Sequence, residues 1–299
     1  RKWFAHNHQL LRRAIEAIFT VDERVVIVDS LPWYYVTQEI QQLVYGLHAS
    51  LDIDLGCVIS LDRVYGLNLN CPHHLLEINR VTGQTGTVAD HDHRPDSGNV
   101  DQQIKEIIHS LASYHVILVD DGIWTGDTMR WAVQKLHSHN LTVAAIVVGV
   151  QVKRPGQMVD YGLKPSQVKA VQSYTDSRPV LDWVCERDFF VGTPLGGRTL
   201  VGHEQANGAS VGAFYPMKAE WLKEWASLDD ADGSFKRFCL ERSLELFSEI
   251  EKLSGRSVLF HDLERWPYQA AVEDEVKPEQ TVTSYLRHLL EWLTAEIRE

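Results

Sequence analysis

The sequence predicts an α/β fold with a central parallel sheet and a mostly helical C-terminal cap. Two observations support this prediction. Between about residues 24 and 148, short β-branched and other apolar runs alternate with stretches of helical periodicity. Such alternation with short joints is typical of parallel strands connected by right-handed crossovers. Beyond residue 150 a loop-rich segment is followed by three helical stretches. We therefore expect a core domain over residues 1–150 and a cap over residues 151–299, largely helical after residue 215.

Each element is predicted from apolar runs and their period. The core is expected to contain, in order, helix Gln9–Phe19, strand Val25–Val28, helix Val36–His48, strand Leu55–Leu61, a long mobile loop Thr82–Asn99, helix Val100–Ala112, strand Val116–Val119, helix Asp127–His139 and strand Thr142–Val148. In the cap, residues 153–214 are expected to be loop-rich. Helices are predicted over Met217–Ser227, Ser234–Leu253 and Thr283–Arg298, with Gly255 ending the second.

Composition narrows the class of partner. The chain has 299 residues with 29 basic and 41 acidic side chains, a formal charge of −12. So acidic a surface repels phosphate backbones, which argues against a nucleic-acid partner but not against a small phosphorylated ligand. The four cysteines are scattered; Cys57 and Cys239 are expected in the core, and a reducing cytoplasm is the expected location. No apolar run reaches membrane-spanning length, the start lacks a signal-peptide core, and Arg1 in place of methionine is compatible with a trimmed chain.

The segment Val116–Thr128 carries the strongest chemical signal. It reads Val-Ile-Leu-Val-Asp-Asp-Gly-Ile-Trp-Thr-Gly-Asp-Thr, with Asp120 and Asp121 expected at the end of a strand and a loop Gly122–Thr125 leading to a helix. In open parallel sheets, ligands bind outside the carboxyl ends of the strands. Backbone N–H groups over 125–128 and the dipole of the following helix suit a phosphate dianion, and a carboxylate can accept both hydroxyls of a ribose. The segment therefore predicts a ribose-5-phosphate site.

This segment resembles the signature of type I phosphoribosyltransferases, an apolar strand followed by two acids, a short loop and Thr-Gly-x-Thr. The resemblance implies a Rossmann-like core, a flexible loop over the active site, a hood that selects the acceptor, and transfer of ribose 5-phosphate from phosphoribosyl pyrophosphate with Mg²⁺. It also implies that Asp120 and Asp121 hold the ribose hydroxyls, with Mg²⁺ or its waters nearby. By the same resemblance, Gly122 belongs to the binding loop, and the 5-phosphate is held by Thr125, Gly126, Asp127 and Thr128.

Two departures from that family pattern leave alternatives open. Where the family holds pyrophosphate with a loop of small residues, this chain reads Ser30-Leu31-Pro32-Trp33-Tyr34, without glycine or a basic residue. Trp124 is bulky beside the ribose site, where it either stacks on the ligand or plugs the site. The plainer interpretation of the whole segment is a buried strand that ends in two acids, with Asp127 favoured only as a helix-start residue.

Other segments have weaker chemical signals. The run Asp90-His91-Asp92-His93 is a set of potential metal ligands, a solvated loop, or a loop that closes on pyrophosphate through His91, His93 or Arg94. Gly208–Gly212 matches a nucleophile-elbow string but lacks the buried strand that an elbow needs. Gly196-Gly197-Arg198 suits an anion site or a plain turn, and Trp183, Phe189 and Phe190 suit base stacking or a core.

The sequence thus favours an enzyme that binds phosphoribosyl pyrophosphate or a nucleoside 5'-phosphate and transfers ribose 5-phosphate to or from a nitrogen acceptor. The alternative is a non-catalytic regulator with the same fold that senses such a ligand. A third hypothesis is a structural module whose cap mediates assembly, which is compatible with a homo-oligomer.

Overall fold

A computed structural model describes residues 10, 13–15, 17–18, 33–62, 69–83, 88–94, 97–153, 160–175, 191, 199–200, 210–218, 221–222 and 229–296. The chain divides into two compact units. The parallel-sheet unit consists of Val28–Asn79 and His91–Trp183. The second unit consists of Arg1–Ile27, Arg80–Asp90 and Val184–Glu299.

The parallel-sheet unit is an α/β layer structure. Its strands are β1 (Val58–Ser60), β2 (His74–Leu75), β5 (His115–Ile123), β6 (Thr142–Lys153) and β7 (Val168–Thr175), in the spatial order β2-β1-β5-β6-β7. All four strand pairs are parallel. Helices α1 (Trp33–Leu51), α2 (Val100–Ser110) and α3 (Asp127–Ser138) belong to the same unit. The predicted α/β class with a central parallel sheet is therefore confirmed.

Continuous apolar runs form the middle of this sheet because both of its faces are covered. Residues Val116–Val119 of β5 and Ala145–Val148 of β6 are fully buried. Helix α1 buries Val36, Ile40 and Val44, which share one face at a spacing of four residues. These side chains join one core, which places β5 at the centre of the sheet with β1 on one side and β6 on the other.

Four described strands occur where the sequence analysis expected loop, and two of these, Thr199–Leu200 and Ser210–Gly212, have only two and three residues. Residues 88–93, inside the predicted loop Thr82–Asn99, form strand β4 (Val88–His93). Residues 168–175, inside the predicted loop-rich stretch, form β7. None of the eight residues of β7 is buried, and among the described strands β7 pairs only with β6, at the edge of the sheet. Edge strands need no continuous apolar run, so the sequence pattern did not reveal β7.

The second unit has a mixed sheet and two long helices. The second sheet has the order β10-β9-β8-β3-β4, with β3 (Ile78–Thr82), β8 (Thr199–Leu200), β9 (Ser210–Gly212) and β10 (Arg265–Pro267). The boundary between the ranges of the two units falls within β3, after Asn79, and within β4, after Asp90. Helices α4 (Ser234–Ser254) and α5 (Val282–Glu296) confirm two predicted cap helices, and Gly255 ends α4 at a φ of 71°. Buried aromatic residues form its core: Trp221, Phe235, Phe260, Trp266 and Tyr285.

Several predicted features fall outside the described residues. These are strand Val25–Val28, the segment Ser30–Pro32, Gly196-Gly197-Arg198, and the aromatic residues Trp183, Phe189 and Phe190. Of the predicted helix Met217–Ser227, Met217 ends a 3₁₀ turn, residues 221–222 are helical, and residues 219–220 and 223–227 are not described. Cys57 and Cys239 are buried free thiols in the two cores, as predicted. None of the described helices is both long enough and apolar enough to cross a membrane.

Candidate functional site

The acid pair lies on the central strand rather than after it. Strand β5 continues through Asp120, Asp121 and Gly122 to Ile123, so the expected strand Val116–Val119 is too short and the expected loop Gly122–Thr125 begins too early. Strand β5 is longer than expected because β6 has twelve residues and continues to pair with it. Asp120 pairs with Val148, and Gly122 pairs with Val150. The connection to α3 is therefore only three residues, Trp124 to Gly126.

Asp120 is a buried carboxylate with a strongly perturbed proton affinity. The residue is only 8% exposed. Its Oδ1 accepts a hydrogen bond from the backbone N–H of Asp121 at 2.9 Å. Burial raises the pKa of Asp120 well above its usual value, and the charges of Asp121 and Asp62 raise it further. The N–H of Asp121 and the charge of Arg94 oppose this rise without overcoming it. A cation or a hydrogen-bond donor beside the ionised carboxylate would lower the pKa of Asp120, as Arg94 and the Asp121 N–H already do.

Asp62 is a third carboxylate near the acid pair, and the sequence analysis did not assign it to the site. It follows β1, the neighbour of β5, where the N–H of Leu61 donates to the Val119 carbonyl at 2.8 Å. The Ser60 hydroxyl donates to the Asp62 carbonyl at 3.0 Å. The sequence signal that could have identified Asp62 was its position directly after an apolar run. Among the described residues, no group of three His, Cys, Asp or Glu side chains is arranged to hold a metal ion.

The start of α3 has the backbone shape that an anion cradle needs. Gly126 precedes the helix in the left-handed conformation, with φ 84° and ψ 2°, a region that side-chain-bearing residues rarely adopt. The first N–H groups of a helix have no acceptor within the helix, and they carry the positive end of its dipole. The Thr125 hydroxyl accepts weakly from the Asp127 N–H at 3.4 Å, so its proton remains able to donate to a ligand.

The Asp127 carboxylate does not point into this cradle. It is exposed and pairs with Arg130, its Oδ1 lying 3.2 Å from the guanidinium Nη1 one turn along the helix. A carboxylate beside a phosphate would oppose binding, and this pairing removes that objection. Asp127 thus begins the helix. Thr125, Gly126, Asp127 and Thr128 stay predicted phosphate-binding positions, Asp127 through its backbone N–H.

Strand β4 brings a histidine and an arginine to the two ends of the motif. The His91 Nε2 lies 2.9 Å from the Thr128 hydroxyl oxygen, and the His91 ring packs on Trp131 with 5.2 Å between centroids. Arg94 follows β4, and its charge acts on Asp120. Of the three residues that the sequence analysis named in this segment, His91 and Arg94 therefore lie near the motif. His93 instead hydrogen-bonds to the neighbouring Asp92 at 2.8 Å.

Trp124 covers the middle of the motif. A methyl group added at Gly122 would overlap two carbon atoms of the Trp124 ring, Cη2 and Cζ3, so the ring lies directly on this glycine. The indole N–H of Trp124 is buried and has no hydrogen-bond partner among the described residues. Glycine is therefore needed at position 122 because the Trp124 ring packs directly on it, and not because the backbone there has an unusual conformation.

We expect Gly122→Ala to destabilise the protein by about 1–2 kcal/mol, because the added methyl group displaces the Trp124 ring. Urea unfolding should show this cost in the wild-type background and almost none in Trp124→Ala, where the ring is absent. An equal cost in both backgrounds would show that the ring is not what Gly122 accommodates.

Tyr161 lies beside the first turn of α3 and was not singled out from the sequence. Its hydroxyl is buried without a hydrogen-bond partner among the described residues. Burial raises the pKa of Tyr161 to about 12; Arg130 acts against the rise and Asp127 adds to it. Nothing in the motif pattern points to this residue, because it lies more than thirty residues along the chain.

Tyr161→Phe should leave the free energy of unfolding unchanged or raise it by up to about 1 kcal/mol, because it removes an unsatisfied buried hydroxyl. Tyr174→Phe is the matched control. The Tyr174 hydroxyl donates to Gln172 at 2.8 Å, so that variant should lose about 1 kcal/mol. A loss for Tyr161→Phe as large as that of the control would mean that the Tyr161 hydroxyl has a stabilising partner.

The remaining sequence motifs gain no support from the structure. Ser210 and Gly212, the end of the elbow string, lie within strand β9, whereas an elbow requires a sharp turn from strand to helix at the serine. Asp90, His91, Asp92 and His93 lie on β4 and belong to no metal-binding group of three among the described residues.

No family model matches the chain, and no curated protein matches it.

Proposed function

We propose that the parallel-sheet unit binds phosphoribosyl pyrophosphate or a nucleoside 5'-phosphate and transfers ribose 5-phosphate to or from a nitrogen acceptor. The observation that carries the proposal is that two unlike groups, the acid pair of β5 and the start of α3, lie only a few residues apart in the chain. Asp120, which is buried, and Asp121, which is half-buried, lie near the end of the central strand β5, and a left-handed glycine precedes α3 six residues after Asp120. A ribose 5-phosphate has the matching groups, a diol at one end and a dianion at the other.

At the diol end, the carboxylates of Asp120 and Asp121 would accept the ribose hydroxyls. Charge-assisted hydrogen bonds of this kind contribute about 1.5–3 kcal/mol each. Asp120 is suited to this role because it is buried beside other carboxylates, so that donors from a ligand would offset the cost of its charge. At the phosphate end, the hydroxyls of Thr125 and Thr128 and the first N–H groups of α3 would donate to the phosphate oxygens.

Mg²⁺ fits the acid end of the site. Its preferred ligands are carboxylate oxygens together with water and substrate phosphate, and it is commonly held by only one or two protein carboxylates. Asp120 and Asp121 would hold it directly or through water, and the accumulation of negative charge that includes Asp62 supports a cation there. When bound, the ion would neutralise charge on a pyrophosphate leaving group.

The chain's own residues then favour a reaction at the anomeric carbon. In the proposed reaction a bond forms between that carbon and a nitrogen of the acceptor, the bond to the pyrophosphate oxygen breaks, and the nitrogen releases its proton to solvent. Positive charge develops on the ribose ring, close to the carboxylates of Asp120 and Asp121, which stabilise it electrostatically. The same carboxylates hold the ring by its hydroxyls, so binding and stabilisation act together.

The second candidate is a regulator that binds such a ligand without converting it. One observation favours it: the Trp124 ring lies on Gly122 in the middle of the motif, where a reacting ribose needs space. The sequence Ser30–Tyr34, without glycine or base, also departs from a pyrophosphate-binding loop.

Phosphorus NMR of phosphoribosyl pyrophosphate with Mg²⁺ and a set of nucleobases separates these functions. The transferase proposal predicts that pyrophosphate signals grow in the presence of one acceptor class and stay absent without protein. Line broadening of the 5-phosphate signal without any conversion would establish the regulator instead. Unchanged signals with the protein at a concentration equal to the ligand would contradict both.

A further inference from the structure

His91 is placed to control the hydroxyl of Thr128. The Nε2 atom of His91 and the Oγ1 atom of Thr128 are 2.9 Å apart. The two residues come from different elements, β4 and the first turn of α3, and both belong to the parallel-sheet unit. No other hydrogen bond of the Thr128 hydroxyl involves the described residues, so His91 decides how this hydroxyl is oriented.

The His91 ring is also held in place from the side. It packs on the indole of Trp131 with 5.2 Å between centroids and 31° between planes. Trp131 lies three residues after Thr128 on the same helix, so both side chains lie on one face of its first turns. The aromatic contact therefore fixes the imidazole relative to the helix that carries Thr128.

We infer that His91 is a positioning residue that makes the Thr128 hydroxyl a donor to the ligand's phosphate. A hydroxyl has one proton and two lone pairs. When the Nε2–H of His91 donates to the Thr128 oxygen, the only proton of the hydroxyl points away from His91 and is available to a phosphate oxygen. Without His91, the hydroxyl rotates freely and loses part of that directed bond. This inference rests on the proposed function, because it concerns the same phosphate cradle.

The inference makes His91 act through Thr128 and not by direct contact with the ligand. A double-mutant cycle tests that difference. The probe is ribose 5-phosphate, titrated calorimetrically into wild type, His91→Ala, Thr128→Val and the double variant. We expect His91→Ala to weaken binding about three- to tenfold in the wild-type background and less than about twofold in Thr128→Val.

A conservative pair of variants adds a second readout. In His91→Gln the amide nitrogen takes approximately the place of Nε2, so binding should be restored to within about twofold of wild type. In His91→Asn the nitrogen takes the place of Nδ1 instead, and binding should stay as weak as in His91→Ala. Thermal unfolding of each variant checks that the fold is intact.

The results separate this inference from the function on which it rests. If wild type binds ribose 5-phosphate but His91→Ala has no effect, or has the same effect with and without the Thr128 hydroxyl, the inference is overturned and the site proposal stands. If wild type itself fails to bind ribose 5-phosphate at millimolar concentration, the proposed function fails and the inference fails with it.

Discussion

Replacing Thr125 and Thr128 together by alanine is expected to weaken binding of a ribose-5-phosphate ligand by about 100-fold or more. Each hydroxyl is proposed to donate one hydrogen bond to a charged phosphate, and such bonds contribute about 1.5–3 kcal/mol each. Two of them therefore amount to at least about 3 kcal/mol, or roughly two powers of ten in affinity. Calorimetric titration with ribose 5-phosphate measures this difference directly.

A control variant separates this effect from general destabilisation. Thr142 is exposed at the first residue of β6, the end of the sheet opposite to the acid pair. Thr142→Ala should bind as wild type does. If the Thr125/Thr128 double variant keeps wild-type affinity, the anion cradle is misassigned, whatever other ligand the chain binds.

Asp120→Asn should stabilise the ligand-free protein at neutral and alkaline pH, by about 1–3 kcal/mol. Asp120 is buried beside other carboxylates, and its pKa is raised well above the usual value, chiefly by burial. The amide keeps an oxygen that can accept from the Asp121 N–H and removes the buried charge. The residue thus opposes folding where it is ionised, as expected of a group kept for binding.

The raised pKa fixes the direction of the pH dependence. A carboxyl group whose pKa is higher in the folded state than in the unfolded state stabilises the fold when it is protonated. That contribution is complete below the unfolded pKa, near 4, and is lost as the pH rises through the folded pKa. The advantage of Asp120→Asn over wild type should therefore be small at pH 4 and largest at pH 8.

Urea unfolding at pH 4, 6 and 8 measures this trend, with Glu39→Gln as the control. Glu39 is exposed on α1, so the same change from carboxylate to amide should have little effect at any of these pH values. If wild type and Asp120→Asn have the same free energy of unfolding at pH 8, the surroundings of Asp120 do not destabilise its ionised carboxylate. Saturating Mg²⁺, where it binds, should reduce the difference.

The fold could be predicted where local pattern and tertiary environment agree. The run Val116–Val119 is apolar and fully buried, and the turn Thr125-Gly126 before Asp127 marks a helix start, so β5 and α3 were both predicted. The length of β5 could not be predicted, because residues 120–123 extend the strand only through pairing with β6. Strand β7 was missed for a related reason, since its edge position requires no apolar run.

The candidate site was predictable within one chain segment and not across segments. Asp120, Asp121 and Gly126 are contiguous enough for a motif, and the structure places them at the end of β5 and the start of α3. Asp62 and Tyr161 reach the same neighbourhood from the residue after β1 and from the segment before β7, and nothing in the spacing of the motif predicts their proximity. The sequence analysis named His91 as a possible contact, and the structure places it beside Thr128. The sequence left open whether Trp124 stacks on the ligand or plugs the site. The position of its ring over Gly122 follows from tertiary packing.

Calorimetry with phosphoribosyl pyrophosphate and Mg²⁺ on wild type and on the Asp120→Asn/Asp121→Asn variant tests the central proposal most directly. We expect wild type to bind and the double variant to lose binding while remaining folded, because removing the charge at Asp120 is expected to stabilise the fold. Loss of binding then cannot be attributed to unfolding. Equal binding by both proteins, or no binding by wild type, would contradict the assignment of Asp120 and Asp121 to a ribose-5-phosphate site.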